Sequence, residues 1–227
     1  MFKVSQHFSE IYPKAHAGLL VMRGASNPAA NDDLEARKRN VEFDLRGRFA
    51  AMTPKELDSI HPFSVYSAYY RKFDKTYHVA GQLKSVVFKD KSIPSVAALV
   101  EAMFIAELKN GLLTAGHDLD RLELPLHLEA ATGEESYTLM RGSEQLLKTA
   151  DMYIRDGKGI LSSILYGPDQ RTQIAEGTRN AAFTVYALEG ISPAEVEAHL
   201  KDIRDLVLLV TPTAQVEVLE VFGESNA

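Results

Sequence analysis

Two short polar segments of the chain contain residue types that could bind or transform a small molecule. The first runs from Thr114 to Asp120 and places His117 beside Asp118, after a predicted buried helix and before a predicted strand. Loops at such junctions often contain functional residues, and an adjacent histidine and carboxylate could supply an acid–base group. The alternative is a turn that the aspartate side chain stabilises by hydrogen bonding to its own backbone.

The second segment runs from Tyr166 to Thr172 and follows a predicted strand. Its Gly167–Pro168 pair predicts a tight turn, from which Asp169 and Arg171 project. A guanidinium can hold a carboxylate or phosphate through two parallel hydrogen bonds, and a carboxylate can hold an ammonium group. The segment therefore predicts an amino-acid-like ligand. The alternative is a structural Asp–Arg pair on a surface turn.

An aromatic stripe and a group of cations lie close together earlier in the chain. The aromatic residues between 63 and 73 recur at helical spacing, and residues 71–91 contain six Lys and Arg residues, with Arg71, Lys72 and Lys75 at their start. Tyrosine and phenylalanine rings beside cations could stack nucleobases. A stripe at helical spacing is also the pattern of a helix face buried in a core.

The composition excludes several classes of site. The 227 residues contain no cysteine, which excludes disulfide scaffolds, thiolate-ligated metals and a cysteine nucleophile. There is no paired-histidine metal motif, Walker loop or dinucleotide-binding glycine motif, so we predict no metal and no cofactor. The net charge of −6 argues against a basic nucleic-acid-binding protein, and we expect no DNA partner, but the charge is unevenly distributed. Residues 1–91 contain 15 Lys and Arg against 10 Asp and Glu, whereas residues 92–227 contain 10 against 21.

The elements that must position these residues can be predicted from periodicity and capping. The helices are predicted mainly in the first half, including a charged, exposed helix over 34–51, an aromatic helix over 63–73 and a buried helix over 95–110. Capping boxes predict helix starts at Thr53 and Ser192. After residue 112 the pattern indicates short strands, with a hairpin turn over 156–159 and a final strand over 215–222. This order predicts an α+β fold with a mixed or antiparallel sheet packed against helices.

The chain shows no sign of export or membrane insertion. Its N-terminus lacks a long apolar run and a small-residue cleavage site, and the densest apolar run, 206–210, is too short to cross a bilayer. We therefore expect a cytoplasmic protein with no membrane partner.

The order of several motifs resembles a known tRNA-editing domain. After the aromatic helix come the stretch from His78 to Leu83, the buried helix, the segment 116–122, Gly133-Glu134-Glu135, the segment 139–142, residues 151–167 and Thr178-Arg179-Asn180. In this order they resemble the B3/B4 domain of the phenylalanyl-tRNA synthetase beta subunit, in a free-standing form that covers residues 2–222. The resemblance implies a single B3/B4-like domain over 1–227.

The resemblance also implies a function and a site. In the synthetase, the domain accepts the mischarged 3′ end of tRNA and hydrolyses tyrosine from it. The family's Gly-Gly-Glu corresponds here to Gly167-Pro168-Asp169, its loop histidine to Ala115, with His117 nearby, and its helical Thr-Asn to Met103-Phe104. One acid is thus conservatively replaced and the other polar residues are lost or moved.

Two functions remain open at this point. The first is hydrolysis of mischarged aminoacyl-tRNA in trans, with Asp169 and His117 as catalytic residues. The substrate would be held by Asp118, Tyr166, Gly167, Arg171 and Thr172, and the tRNA acceptor end by Arg71, Lys72 and Lys75. The second is a non-catalytic module that binds RNA, an amino acid or a related small molecule. Aminoacylation is not expected, because the synthetase core is missing.

Overall fold

The computed structural model describes residues 2–223. Residue 1 and residues 224–227, at the ends of the domain predicted over 1–227, lie outside the described residues. Within the described range the helices are α1 (Gln6–Ile11), α2 (Asp32–Phe49), α3 (Pro54–Leu57), α4 (Phe63–Arg71), α5 (His78–Lys89), α6 (Ala98–Asn110) and α7 (Pro193–Val210).

The strands complete an α+β fold. They are β1 (Phe2–Val4), β2 (His16–Arg23), β3 (Thr114–Asp118), β4 (Leu126–Ala130), β5 (Ser136–Thr138), β6 (Glu144–Leu146), β7 (Met152–Arg155), β8 (Ile160–Ser163), β9 (Gly167–Pro168), β10 (Ala181–Ala187) and β11 (Gln215–Phe222). Six of the seven described helices precede residue 111 and nine of the eleven described strands follow it, as predicted.

Two sheets form the centre of the molecule. The four-stranded sheet has the order β11-β2-β10-β3 and is antiparallel, whereas the five-stranded sheet has the order β1-β4-β7-β8-β9 and pairs β1 in parallel with β4. The two sheets are joined where the Tyr186 hydroxyl of β10 lies 2.7 Å from the Ser162 hydroxyl of β8 and donates to its carbonyl at 2.8 Å. β5 and β6 form a separate hairpin.

Helices α6 and α7 pack on the four-stranded sheet. The approach of α7 to β2 requires glycine at position 18, because a Cβ there would lie 2.5 Å from Val196 and 3.1 Å from Leu200. The start of α7 is fixed locally by the capping box of Ser192 and Glu195, and Thr53 and Glu56 cap α3 in the same way. Both capping boxes predicted from the sequence are confirmed.

The structure corrects two predictions about helices. The helix predicted to be exposed, α2, buries one face, on which the Lys38 ammonium lies 2.9 Å from Glu101 and 2.5 Å from Glu35. Helix α6 begins at Ala98 rather than at residue 95, because the side chain of the distant Asn27 accepts a hydrogen bond of 2.9 Å from the Leu99 N–H in its first turn. The helix α5 was not predicted.

The aromatic stripe belongs mainly to the core. Phe63, Tyr66, Tyr69 and Tyr70 of α4 are buried, and Tyr66 stacks on Tyr77 with ring centroids 4.5 Å apart. The core interpretation is therefore confirmed for these four rings. None of the helices within residues 2–223 has both the length and the apolar composition needed to cross a membrane.

Candidate functional site

His117 lies in a strand and not in a loop, which corrects the prediction for segment 114–120. Its strand, β3, is the edge of the four-stranded sheet, and the backbone of residues 172–173 runs along that edge, with Asp118 N–H donating to the Thr172 carbonyl at 2.7 Å. The His117 ring is completely buried as a result. Sequence periodicity could not show this, because the covering segment lies about 55 residues further along the chain.

Thr172 connects His117 to Asp169. The Nδ1 atom of His117 lies 2.8 Å from the Thr172 hydroxyl, which in turn donates to the Asp169 carboxylate. A threonine hydroxyl has one proton, so when it donates to Asp169 it must accept from His117. The neutral ring therefore has its proton on Nδ1, and the buried Nε2 has no hydrogen-bond partner among the described residues.

Burial keeps this histidine uncharged. Loss of solvation, aided by the positive charge of Arg171, lowers the pKa of His117 to about 4. Burial also raises the pKa of Asp169, against the opposing effect of the hydrogen bonds from Thr172. The three side chains thus form a hydrogen-bonded row in which the imidazole is neutral at pH 7.

Arg171 is held mainly by a residue that was not predicted for the site. Its guanidinium makes two hydrogen bonds, of 2.9 and 3.1 Å, to the two carboxylate oxygens of Asp156, while its Nε lies 3.6 Å from Asp169. Arg171 is thus in a structural ion pair, but its main partner is Asp156 and not Asp169, the aspartate of its own turn. Asp169 and Arg171 nevertheless line a cavity of about 430 Å³, together with Tyr137, Lys158 and other polar residues.

Asp118 and Gly167 have local structural contacts. The Asp118 carboxylate accepts hydrogen bonds from the Thr178 hydroxyl at 2.7 Å and from the Asp120 N–H at 3.1 Å, as in the turn alternative. Gly167 has a φ of +81°, and its carbonyl accepts a 2.6 Å hydrogen bond from the Tyr137 hydroxyl. A left-handed φ of this kind favours glycine at the turn.

Tyr166 contacts one of the cations from the first half of the sequence. The Lys75 ammonium lies 4.4 Å from the centroid of its half-buried ring, at cation–π distance. Lys75 also lines a cavity of about 620 Å³ between α3, α4 and α5, which we call the basic cavity. Its charged lining consists of four cations, Lys55, Arg71, Lys75 and Lys84, and one carboxylate, Asp58.

The three predicted RNA-binding residues are divided between two cavities. Arg71 and Lys75 line the basic cavity, whereas Lys72 lines a second cavity, of about 460 Å³, on the other side of α4. The Asp58 carboxylate lies 2.5 Å from the Lys84 ammonium, which leaves three cations of the basic cavity without a carboxylate partner within it.

Asp151 is among the strongly perturbed side chains that sequence reasoning missed. Asp151 is completely buried, and burial raises the pKa of its carboxyl to about 7. The Tyr69 hydroxyl lies 3.1 Å from Oδ1, and Oδ2 has no hydrogen-bond partner among the described residues. Nothing in the local sequence distinguishes it from a loop aspartate, since its environment is formed by a helix about 80 residues earlier.

Comparison with known proteins gives likenesses to solved structures but not to known sequences. No protein-family model and no curated protein sequence matches the chain. Among solved structures, it is similar to an N-terminal fragment of the phenylalanyl-tRNA synthetase beta subunit from Pyrococcus horikoshii, with 11% identity and a TM-score of 0.49. The match covers 97% of this chain and 50% of that chain, so the protein spans about half the length of the fragment. The likeness does not single out the B3/B4 domain.

Proposed function

We propose that this protein is a binding module for the acceptor end of tRNA, and that it holds phosphate groups in the basic cavity. The observation that supports the proposal is the charge of that cavity. Three cations without a carboxylate partner in the cavity, Lys55, Arg71 and Lys75, line one concave surface. Phosphate contacts of this kind dominate the affinity of proteins for nucleic acids.

The surroundings of the cavity also favour an anion. The first turn of α5 forms part of its wall through His78, Ala80 and Gly81, and the side chain of the N-cap residue Tyr77 makes no capping hydrogen bond to this turn. Backbone N–H groups at a helix N-terminus favour negative charge. Partial loss of solvation at the cavity wall lowers the pKa of the His78 ring, so this exposed ring adds little positive charge at pH 7.

The size of the cavity favours a single-stranded end over a duplex. A volume of about 620 Å³ lies within the range of small-ligand sites and holds a nucleotide rather than a double helix. The order of sequence motifs, which resembles a domain that accepts the 3′ end of tRNA, favours tRNA among single-stranded ends.

Fluorescence anisotropy with a labelled acceptor-stem minihelix tests the proposal. We expect the wild type to bind it in low salt, and the double variant Arg71→Gln/Lys75→Gln to bind at least about tenfold more weakly. A matched control, Arg37→Gln/Arg39→Gln, removes two cations from the exposed face of α2, outside the described cavities. The proposal is wrong if the wild type does not bind at about 50 mM salt, or if both double variants weaken binding equally.

Hydrolysis of a mischarged aminoacyl ester is a second candidate, favoured by the row of His117, Thr172 and Asp169. Asp169 lines the cavity of about 430 Å³, where its carboxylate would take a proton from a water that attacks the ester carbonyl. The ester C–O bond then breaks, and the proton passes to the departing ribose oxygen. Thr172 and His117 would act as positioning residues, because the buried ring cannot touch a substrate.

A deacylation assay separates the two functions. With a panel of aminoacyl-tRNAs, the hydrolase predicts loss of the ester faster than background, and a strong reduction in Asp169→Asn. The matched variant Asp44→Asn alters an exposed carboxylate of α2 that lines none of the described cavities, and should retain activity. Binding without accelerated hydrolysis of any member of the panel supports the binding module alone.

A further inference from the structure

Helix α4 separates the basic cavity from a second cavity of different character. The second cavity, of about 460 Å³, is lined mainly by apolar and aromatic side chains, and we call it the apolar cavity. Tyr12 contributes a half-buried ring, whose centroid lies 6.2 Å from that of the buried Tyr69 ring behind it, and Val65, Ala68 and Leu188 contribute aliphatic surface. Its cations are Lys14, which pairs with Glu189, and Lys72.

The two cavities share a wall. Ser64 lines both of them. From Ser64, the apolar cavity continues along α4 at Ala68 and beyond its end at Lys72, whereas the basic cavity continues at Ser67 and Arg71. Residues three and four apart on a helix are neighbours, about 5–6 Å from each other, so these two rows lie side by side. The residues between the cavities, Ser64, Ser67 and Ala68, are small and form a low ridge.

We infer that α4 forms a two-part nucleotide site, with the nucleobase in the apolar cavity and its phosphate in the basic cavity. A nucleotide joins a flat aromatic group to an anion across one sugar, which matches two cavities on adjacent rows of one helix. Aromatic and aliphatic walls suit a nucleobase, and sequence-tolerant stacking on such rings is a general mode of single-strand recognition. Arg71 and Lys75 would hold the phosphate.

The nucleotide can belong to an RNA end or be free in solution, and the chemistry is the same. In the first case the inference rests on the proposed function and specifies where the terminal base lies. In the second case it holds even if RNA does not bind.

One substitution blocks the apolar cavity without changing charge. Ala68 is exposed on α4, so Ala68→Trp can fill the cavity without disturbing the core. Ala198 is equally exposed on α7 and lines none of the described cavities, so Ala198→Trp is the matched control. Thermal unfolding establishes that both variants are folded.

Two pairs of ligands measure how much the base adds to the affinity. Calorimetry compares AMP with ribose 5-phosphate, which lacks the base. Fluorescence anisotropy compares an RNA minihelix with and without its terminal nucleotide. We expect the base to strengthen binding about tenfold in at least one of the two pairs. Ala68→Trp should abolish that gain and leave ribose 5-phosphate binding unchanged, whereas Ala198→Trp should behave as wild type. A gain with AMP identifies a free nucleotide, and a gain confined to the minihelix identifies an RNA end.

The outcomes that overturn the inference differ from those that overturn the proposed function. If the minihelix binds equally with and without its terminal nucleotide, and AMP binds no better than ribose 5-phosphate, the two-part site is wrong although RNA binding stands. It is equally wrong if Ala68→Trp keeps the full gain from the base. If AMP shows the gain and the minihelix does not bind, the site stands and the proposed function fails.

Discussion

Replacing Asp151 with asparagine should stabilise the protein at alkaline pH and have little effect at acid pH. The carboxyl is completely buried, with one hydrogen bond from Tyr69 at Oδ1 and none at Oδ2 within the described residues. Burial raises its pKa from 3.8 to about 7. The native state therefore binds the proton more tightly than the unfolded state does, and the stability from this group is lost as the pH rises from about 4 to about 7.

The size of the effect follows from the same shift. Each unit of pKa difference corresponds to about 1.4 kcal/mol, so the free energy of unfolding should fall by about 4 kcal/mol across this range because of Asp151 alone. Asparagine has the shape of the protonated acid, can accept the Tyr69 hydrogen bond and does not titrate. The stability of Asp151→Asn minus that of wild type should therefore rise by about 4 kcal/mol between pH 4 and pH 7.

Asp156 provides a control of opposite sign at the other end of β7. It is also buried, but its two oxygens accept hydrogen bonds from the N–H groups of Glu123, Lys158 and Gly159 and from Arg171. Although burial alone would raise its pKa, these donors outweigh it and the pKa is lowered. Its stabilisation is present at neutral pH and is lost as the pH falls through the native pKa, so Asp156→Asn should cost about 3 kcal/mol at pH 7.

Urea denaturation followed by circular dichroism, at intervals from about pH 2 to about pH 8, measures both variants against wild type, because the Asp156 effect lies below pH 4 and the Asp151 effect above it. Comparing each variant with wild type at the same pH cancels the contributions of the other titrating groups to the free energy of unfolding. Glu107 is one such group, because burial raises its pKa to about 8. The reasoning is refuted if the difference between Asp151→Asn and wild type does not change with pH. It is also refuted if the two asparagine variants show pH trends of the same sign.

Three further predictions concern the site. The logarithm of the affinity for the RNA minihelix should fall with the logarithm of salt concentration with a slope of about −2. The double variant Arg71→Gln/Lys75→Gln should make this slope shallower, between about −1 and 0, and an unchanged slope would place the contacts elsewhere. The His117 ring should titrate near pH 4 by NMR, because burial lowers its pKa to about 4; a midpoint near 6.5 would show that the ring is solvated. Thr172→Val should lose about 2 kcal/mol of stability in urea, because it leaves His117 and Asp169 without a shared partner, whereas Thr172→Ser should lose much less.

The features that the sequence predicted correctly depend on contacts between near neighbours. The capping boxes at Thr53 and Ser192 involve residues three apart. The hairpin turn over 156–159 closes with a hydrogen bond from the Asp156 N–H to the Gly159 carbonyl, at 3.0 Å. Strands β7 and β11 were predicted with their observed ends because turn residues bound them on both sides. In each case the physical cause lies within a few residues of the effect.

The errors have the opposite origin. Asn27 caps α6 across 72 residues, and Thr172 reaches His117 across 55. The burial of His117 depends on which chain segment lies along β3. The hydrophobic pattern of the β3 residues themselves does not indicate which segment that is. The same holds for Arg171, whose main partner Asp156 lies in a different turn. The residue types therefore identified candidate site residues. The contacts of those residues depend on which distant segments the fold brings together, and the local sequence does not give this.

The charge of the chain shows why totals are poor guides to a binding surface. The net charge of −6 would repel a polyanion at long range, but interactions between exposed charges are screened beyond about 10 Å at 0.1 M salt. A phosphate in the basic cavity is affected mainly by its lining, which has four cations and one carboxylate. All of these residues come from positions 55–84, in the half of the sequence with excess positive charge. The cavity therefore has a local excess of positive charge. One of its cations, Lys75, also contacts the ring of Tyr166, which belongs to the acidic half of the sequence.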